Sequence, residues 1–464
     1  MRDNGRNNGL FLGRMNGRVS AGRPLCALHV MTLLAALVGG GACAVQAHPE
    51  EAEPGQTPSM HPDRITVTWK NDPATSLSVT WRTDPSVDEG KAQIAPAKAS
   101  PDFSEDKRTI SSTVTDFRPD EGENKPAHYH SATFNDLKPG TLYAYRVGHE
   151  DHWSEWLQVE TAKQNMAPFS FIYLGDAQNG IHSKWSRAIR AAYSKATPRA
   201  DFIVHAGDLV NRGHRNVEWG RWHRAGGWIQ RTLPNIAVPG NHEYFGGLSV
   251  HWRPQFEFPR NGPSGLKETA YYLDYQNVRF IALNSNEKIE KQAKWLESVL
   301  KNNPSRWTIV IHHHPIYASA ADRDNPKLRK HWNPLYQKYS VDLVLQGHDH
   351  TYARGRDRNV KSGVNLRAKG SGTVYVNSVS GAKMYSIRDQ RWNTYGAKME
   401  RAAENTQLFQ VIDLSAKRLE YRAYTVTGEL YDAFDLVKSK AGDKNKFVEK
   451  MPDTPERTHE NTQR

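Results

Sequence analysis

Five short polar motifs in this 464-residue chain carry side chains that bind metal ions: Gly175-Asp-Ala-Gln178, Gly207-Asp-Leu-Val-Asn211, Gly240-Asn-His-Glu243, His312-His-His-Pro315 and Gly347-His-Asp-His350. Each alone is weak, because a Gly-Asp pair after a strand is most often a turn. Together they offer carboxylates from Asp176 and Asp208, an amide oxygen from Asn241, an imidazole from the run His312–His314, and imidazoles from His348 and His350. Nitrogen and oxygen donors without sulfur suit zinc, iron, manganese or cobalt rather than calcium or copper(I). One ion does not need so many groups. Two ions about 3.5–4 Å apart that share a bridging carboxylate use them all, and such a pair stabilises the attacking and leaving oxygens of an in-line displacement. The chemistry these residues imply is hydrolysis of a phosphate ester.

Each motif directly follows an apolar run of β type, the position at which α/β folds assemble their sites. Strands are predicted at 169–174, 202–206, 235–238, 278–283, 307–311 and 342–345, with amphipathic helices near 184–196, 217–231, 287–302 and 327–339. Such alternation means layered α/β architecture. Further β-like runs at 373–378, 407–414 and 418–425 extend a sheet. Residues 438–464, with seven Lys or Arg and five Asp or Glu, read as a solvated tail. Before the hinge-like stretch 162–168, period-two alternation at 65–69, 77–81, 143–147 and 156–161, with a Pro-Gly turn at 139–140, predicts a β-sandwich of about a hundred residues. Residues 48–61 are polar and Pro-containing, so order is expected from about Ile65.

Composition bounds the partners. The formal charge is +12, and the five arginines and one aspartate of residues 1–47 leave +8 for the remainder. Lys and Arg alternate with Asp and Glu instead of clustering, which argues against a nucleic-acid partner. Arg2, Arg6, Arg14, Arg18 and Arg23, then the apolar run Val30–Val38, then small residues ending at Ala47, read as a secretory signal over 1–47, implying a secreted or periplasmic protein. Both cysteines, Cys26 and Cys43, lie in that leader, so the mature chain has no disulfide and no thiolate ligand, and any dimer is noncovalent. No later run is apolar enough to span a bilayer.

The sequence resembles the calcineurin-like metallophosphoesterase superfamily over roughly 62–436, in the purple acid phosphatase-like branch with a fibronectin type III-like N-terminal domain. Gly347-His-Asp-His-Thr-Tyr-Ala-Arg354 matches the branch's last motif with its trailing Tyr and Arg, and LKPGTLYAYRVG resembles the fibronectin pattern. The resemblance implies an α+β two-domain chain: a β-sandwich at 62–163, then a four-layer α/β/β/α sandwich at 167–436, then the polar tail at 438–464. It implies two divalent or mixed-valence transition metal ions, Fe, Mn or Zn. Asp176, Asp208 and His350 would hold the first, and Asp208, Asn241, His313 and His348 the second, with Asp208 bridging. His313 is chosen because the family ligand stands two residues before the proline, here Pro315; His312 and His314 are then supporting or packing residues. The implied reaction is attack of a metal-bound hydroxide on a small phosphate monoester, with His242 as a catalytic group on a phosphoryl or leaving oxygen.

This chain departs from the family at three places. Asn211 replaces the tyrosine that colours purple acid phosphatases, and Gln178 stands where other members carry a histidine, so Gln178, Asn211 or a water completes the first site and the protein is expected to be colourless. The loop 318–323 lacks the histidine that often acts near the leaving group, and Arg323 is the polar substitute, suited to clamping phosphate. That loss keeps a phosphodiesterase or nucleotide phosphatase in view. Tyr352 and Arg354 either line the phosphate pocket or pack beneath the last motif. His205 reads as an interior histidine, Trp219, Trp222 and Trp228 as core, Glu243 as no general base, and 245–265 as a possible cleft wall. The reading of a different class is an adhesive β-sandwich on an inactive scaffold.

Overall fold

The structure, a computed structural model, describes residues 56–118, 125–196, 198–357, 372–387, 391–439 and 444–458. The proposed leader, 1–47, lies outside them. Alternation in the N-terminal region builds two facing antiparallel sheets. One orders Asp63–Thr68, Leu77–Thr83, Ala127–Phe134 and Thr113–Phe117; the other orders Arg108–Ser111, Lys91–Pro96, Leu142–His149 and His152–Trp153, with Leu157–Glu160 also on Leu142–His149. Their inward residues, among them Val67, Val79, Trp81, Ile94, Tyr145 and Val147, make one core.

The larger region holds two mixed seven-stranded sheets. The first runs Asn235–Ala237, Phe202–His205, Phe169–Leu174, Leu408–Leu414, Arg418–Thr425, Leu430–Val437 and Lys446–Glu449. The second runs Tyr271–Tyr275, Val278–Ala282, Trp307–Ile311, Leu343–Gln346, Val374–Asn377, Tyr352–Asp357 and Ala397–Ala403. Period two sorts the side chains of the second sheet. Phe280, Ile309, Ile311, Leu343, Leu345, Val374 and Val376 face the first sheet, while Ile281, Val310, Val344 and Tyr375 face the helices Ile289–Lys301 and Asn333–Tyr339. Helices Ser186–Lys195 and Asn216–Gly226 cover the other side of the first sheet, which gives the α/β/β/α layering.

Several expectations are corrected. The helix over 217–231 is two, Asn216–Gly226 and Ile229–Thr232, because Gly227 takes φ 53° and ends the first. The helix over 327–339 breaks into Pro326–His331 and Asn333–Tyr339, the second with Pro334 in its first turn, where the missing N–H cannot bond back to continue the first helix. Trp228 is 52% exposed, not core. The described residues of the expected tail, 438–439 and 444–458, are tied to the body: Lys446–Glu449 pairs with Leu430–Val437, and Lys438 and Asn445 both bind the buried Asp342. Order also begins earlier than Ile65, since the Gln56 side chain donates to the Val217 carbonyl.

The sandwich and the larger region belong to one compact unit. Thr68 and Thr80 donate to the Glu257 and Gln255 carbonyls, Asn235 donates to Val67, and Trp69 packs edge-on against Phe202 in the main core. Among the described residues, no helix is long and apolar enough to cross a membrane.

Candidate metal centre

The five motifs converge where the central parallel strands of the two sheets end. Phe169–Leu174 delivers Asp176, Phe202–His205 delivers Asp208, Asn235–Ala237 delivers Asn241, Trp307–Ile311 delivers His313, and Leu343–Gln346 delivers His348 and His350. Each chain must turn sharply there. Asp176, Asp208, His348 and His350 all take left-handed backbone angles, φ 48°, 51°, 74° and 50°, which non-glycine residues hold only when their surroundings impose it. Gly207 permits the approach: a Cβ there would lie 2.7 Å from His313 Nδ1 and 2.8 Å from the Gly240 nitrogen.

Ligand atoms of Asp208, His313 and His348 lie within 4.8 Å of one another, as do those of Asp176, Asp208 and His350. Asp208 is common to both groups. Asn241 joins the first group, with Oδ1 3.2 Å from His313 Nε2. Hydrogen bonds fix each imidazole. His313 Nδ1 donates to the Ala206 carbonyl and His350 Nδ1 to the Lys383 carbonyl, so both turn Nε2 inward. His348 instead presents Nδ1, 3.1 Å from His313 Nε2.

The electrostatics favour a cation. Asp176 and Asp208 are fully buried, and burial together with the Asp208 charge pushes Asp176 well above the carboxylate range. Burial opposes charge on His313, yet Asp208 and Asp176 outweigh it and raise His313 to about 9. His348 and His350 are held low by burial, His350 at about 3, and stay neutral with lone pairs available. Three acceptor atoms, Asp208 Oδ2, Asn241 Oδ1 and His348 Nδ1, crowd within 3.2 Å of His313 Nε2, an arrangement one proton satisfies poorly and a metal ion satisfies well. Gln178 donates to Asp208 Oδ2 at 2.7 Å and lies 3.0 Å from His350 Nε2, while its buried Oε1 has no hydrogen-bond partner. These residues fit transition metal ions.

Supporting contacts hold the bridge. Glu243, fully buried, accepts the N–H groups of Asp208, Leu209, Val210 and Gly240. It clamps the loop bearing Asp208 to the loop bearing Asn241. His242 N–H donates to Asp208 Oδ1, and His242 Nδ1 donates to the Asn211 carbonyl, leaving Nε2 3.9 Å from Asp208 Oδ2 at the partly exposed rim.

Of the residues singled out in the sequence, Asp176, Gln178, Asp208, Asn241, His313, His348 and His350 come together, and His242 joins them at the rim. Asn211 serves through its main chain. Arg323 donates to the His348 carbonyl and covers the Tyr385 ring, with Cζ 4.9 Å from its centroid. Tyr352 and Arg354 do not line the site. Arg354 is fully buried and bonded to Asp432, Glu400 and Glu449, and Tyr352 donates to Asp432, so both are engaged beneath the last motif. His312 and His205 are buried interior histidines, and His314 binds Ser285 while its ring stands 4.2 Å from that of His348.

The loop 380–387 escaped the sequence reading. Lys383 holds His350 through its carbonyl, Tyr385 N–H donates to the His350 carbonyl, and the Tyr385 ring packs edge-on against His350. A Cβ on Gly381 would sit 2.0 Å from the Asp176 carbonyl, so only glycine lets this loop close over the first motif. Its one advance signal is a glycine after a strand, without an Asp, Asn or His to mark it.

Comparison with known proteins agrees with this geometry. Residues 62–161 match the family described as purple acid phosphatase, N-terminal domain, and residues 169–352 the family described as calcineurin-like phosphoesterase. The mouse (Mus musculus) protein acid phosphatase type 7 is 29% identical over 267 residues, 49% of this chain and 57% of that protein. Purple acid phosphatase 1 of Ipomoea batatas is 28% identical over 248 residues, 49% of this chain and 52% of its own length. The match thus spans about half the length of these relatives. A purple acid phosphatase from yellow lupin (Lupinus luteus) seeds shares the fold with a TM-score of 0.66 at 18% identity, covering 81% of this chain and 74% of that one.

Proposed function

The chain belongs to the calcineurin-like metallophosphoesterases, in the purple acid phosphatase-like branch, and we propose that it is an exported phosphatase that hydrolyses phosphate monoesters with a pair of transition metal ions. The observation that carries this reading is the sharing of Asp208 between two groups of buried ligand atoms, with His242 Nε2 at their open side. Bound there, the ions neutralise charge on the phosphoryl oxygens and activate water as a nucleophile. Asp176, Asp208 and His350, with Gln178, would hold one ion; Asp208, Asn241, His313 and His348 would hold the other.

The remaining steps fall to this chain's own groups. The Asn211 carbonyl keeps a proton on His242 Nδ1 and aims Nε2 at the site, where the imidazolium form donates from Nε2 to a phosphoryl oxygen or to the departing alkoxide. Arg323, anchored on the His348 carbonyl, clamps phosphate from the opposite loop. Export rests on the leader pattern of residues 1–47, and N-terminal sequencing of the protein recovered outside the cell tests it. Activity is tested with metal-stripped protein reloaded separately with manganese, zinc or iron and assayed on a chromogenic monoester and its diester. Restored monoester turnover by one metal supports the proposal. Turnover of the diester alone supports a phosphodiesterase, and no turnover with any metal returns the chain to the binding-protein reading.

A further inference from the structure

The loops bearing Asn211 and His242 continue outward side by side. Gly213 N–H donates to the His242 carbonyl at 2.8 Å, and Ser249 ties both, its hydroxyl donating to the Gly213 carbonyl and its N–H to the Glu243 carbonyl. Between Glu243 and Ser249 the chain forms a small hairpin, with Tyr244 paired to Leu248 and Phe245 N–H bonded to the Gly247 carbonyl. Its base is rigid, because the Tyr244 hydroxyl donates to Glu287 and accepts from Asn284. Its tip is open: Cβ atoms built on Gly246 and Gly247 would meet nothing within 4 Å. At that tip Phe245 is 75% exposed, the most exposed of the large apolar side chains among the described residues. The His214 ring lies beside it, centroids 4.6 Å apart and planes tilted by 34°.

We propose that Phe245 and His214 form a stacking platform for the leaving group, so that this phosphatase prefers esters whose alcohol carries a flat aromatic ring at a sugar's distance from the phosphoryl, as in a nucleoside monophosphate. The proposal rests on the phosphatase reading above. Phe245 stands three Cα–Cα steps after His242, a backbone reach of at most about 11 Å at 3.8 Å per step. That reach puts a base joined to its phosphate through ribose within range of the Phe245 ring. A rigid aromatic face accepts any base without reading its edge.

The test compares kcat/KM for adenosine monophosphate and ribose 5-phosphate in metal-loaded wild type, Phe245→Ala and Phe245→Trp, with calorimetric binding of adenosine monophosphate alongside. The expected result is a fall of about fivefold or more in the adenosine-to-ribose ratio for Phe245→Ala, with a matching loss of affinity, and recovery in Phe245→Trp. An unchanged ratio across the three proteins overturns the platform while leaving the phosphatase reading standing. If neither ester is turned over by any of the proteins, the phosphatase reading fails, and equal adenosine monophosphate affinity, or none, then overturns the platform as well.

Discussion

At Arg354 the buried charges are answered by the protein itself, whereas at His350, four residues earlier, they are not. Every donor of the Arg354 guanidinium is used: Nε and Nη2 grip Asp432, Nη1 meets Glu400 and Glu449, and Nη2 also meets Glu449. Arg356 closes the far side of Glu400. In the candidate metal centre, two buried carboxylates face mostly neutral imidazoles, and one amide oxygen has no partner. A buried polar cluster that satisfies itself can hold strands together but has nothing to offer a ligand. One that leaves charge and lone pairs facing one another is built to be completed from outside. Arg354 therefore belongs to the architecture, the second of the two roles its residue type and motif left open.

The strongest way to break this contrast is at the bridge. Asp208→Asn should cut phosphatase activity by at least about a thousandfold and lower bound metal while thermal unfolding stays cooperative. Activity within tenfold of wild type would mean that the two ligand groups do not act as a pair. Arg354→Met should show the opposite pattern. It leaves Asp432 buried without its cation, at a cost of about 3–5 kcal/mol in urea unfolding, yet the protein that remains folded should keep its metal and its KM. A change confined to KM would return Arg354 to the substrate pocket.

Acid should act on buried histidines outside both clusters. Burial lowers His205 and His130 to about 4 from an ordinary 6.5. The folded pKa lies below the unfolded one, so their contribution is complete above pH 6.5 and is lost as pH falls toward 4, when the unfolded chain binds the extra protons. Full titration corresponds to about 3 kcal/mol for each. Urea midpoints measured from pH 8 to pH 4 should fall along that window, and His205→Asn should flatten part of the drop. Glu243→Gln is the smallest of these changes. The amide still accepts but turns an NH2 toward donor groups, costing about 1–3 kcal/mol and about tenfold to hundredfold in metal affinity. Unaltered metal titration would show that the four-N–H clamp does not position Asp208.

Much of this was open to local reading. The strands that end in motifs are continuous apolar runs, and the donor types stand directly after them, so the layered fold and the metal chemistry follow from residue type and spacing. The errors lie where structure depends on distant partners. The strands Tyr352–Asp357 and Leu430–Val437 carry charged and polar residues that break any apolar period, and they are strands because Arg354 reaches Asp432 across 78 positions of chain. Lys446–Glu449 reads as solvated in isolation and is a strand only because Leu430–Val437 offers an edge.

The sequence by itself therefore determined which atoms can bind metal and which strands lead to them, because both are encoded within a few neighbouring residues. Tertiary structure alone decided that Glu243 clamps the loop of Asp208 from 35 residues away, that the loop at Lys383 and Tyr385 closes over His350, and that Arg354 is spent on Asp432. Charge is a property of a side chain, but whether that charge is already answered depends on where the rest of the chain comes to lie.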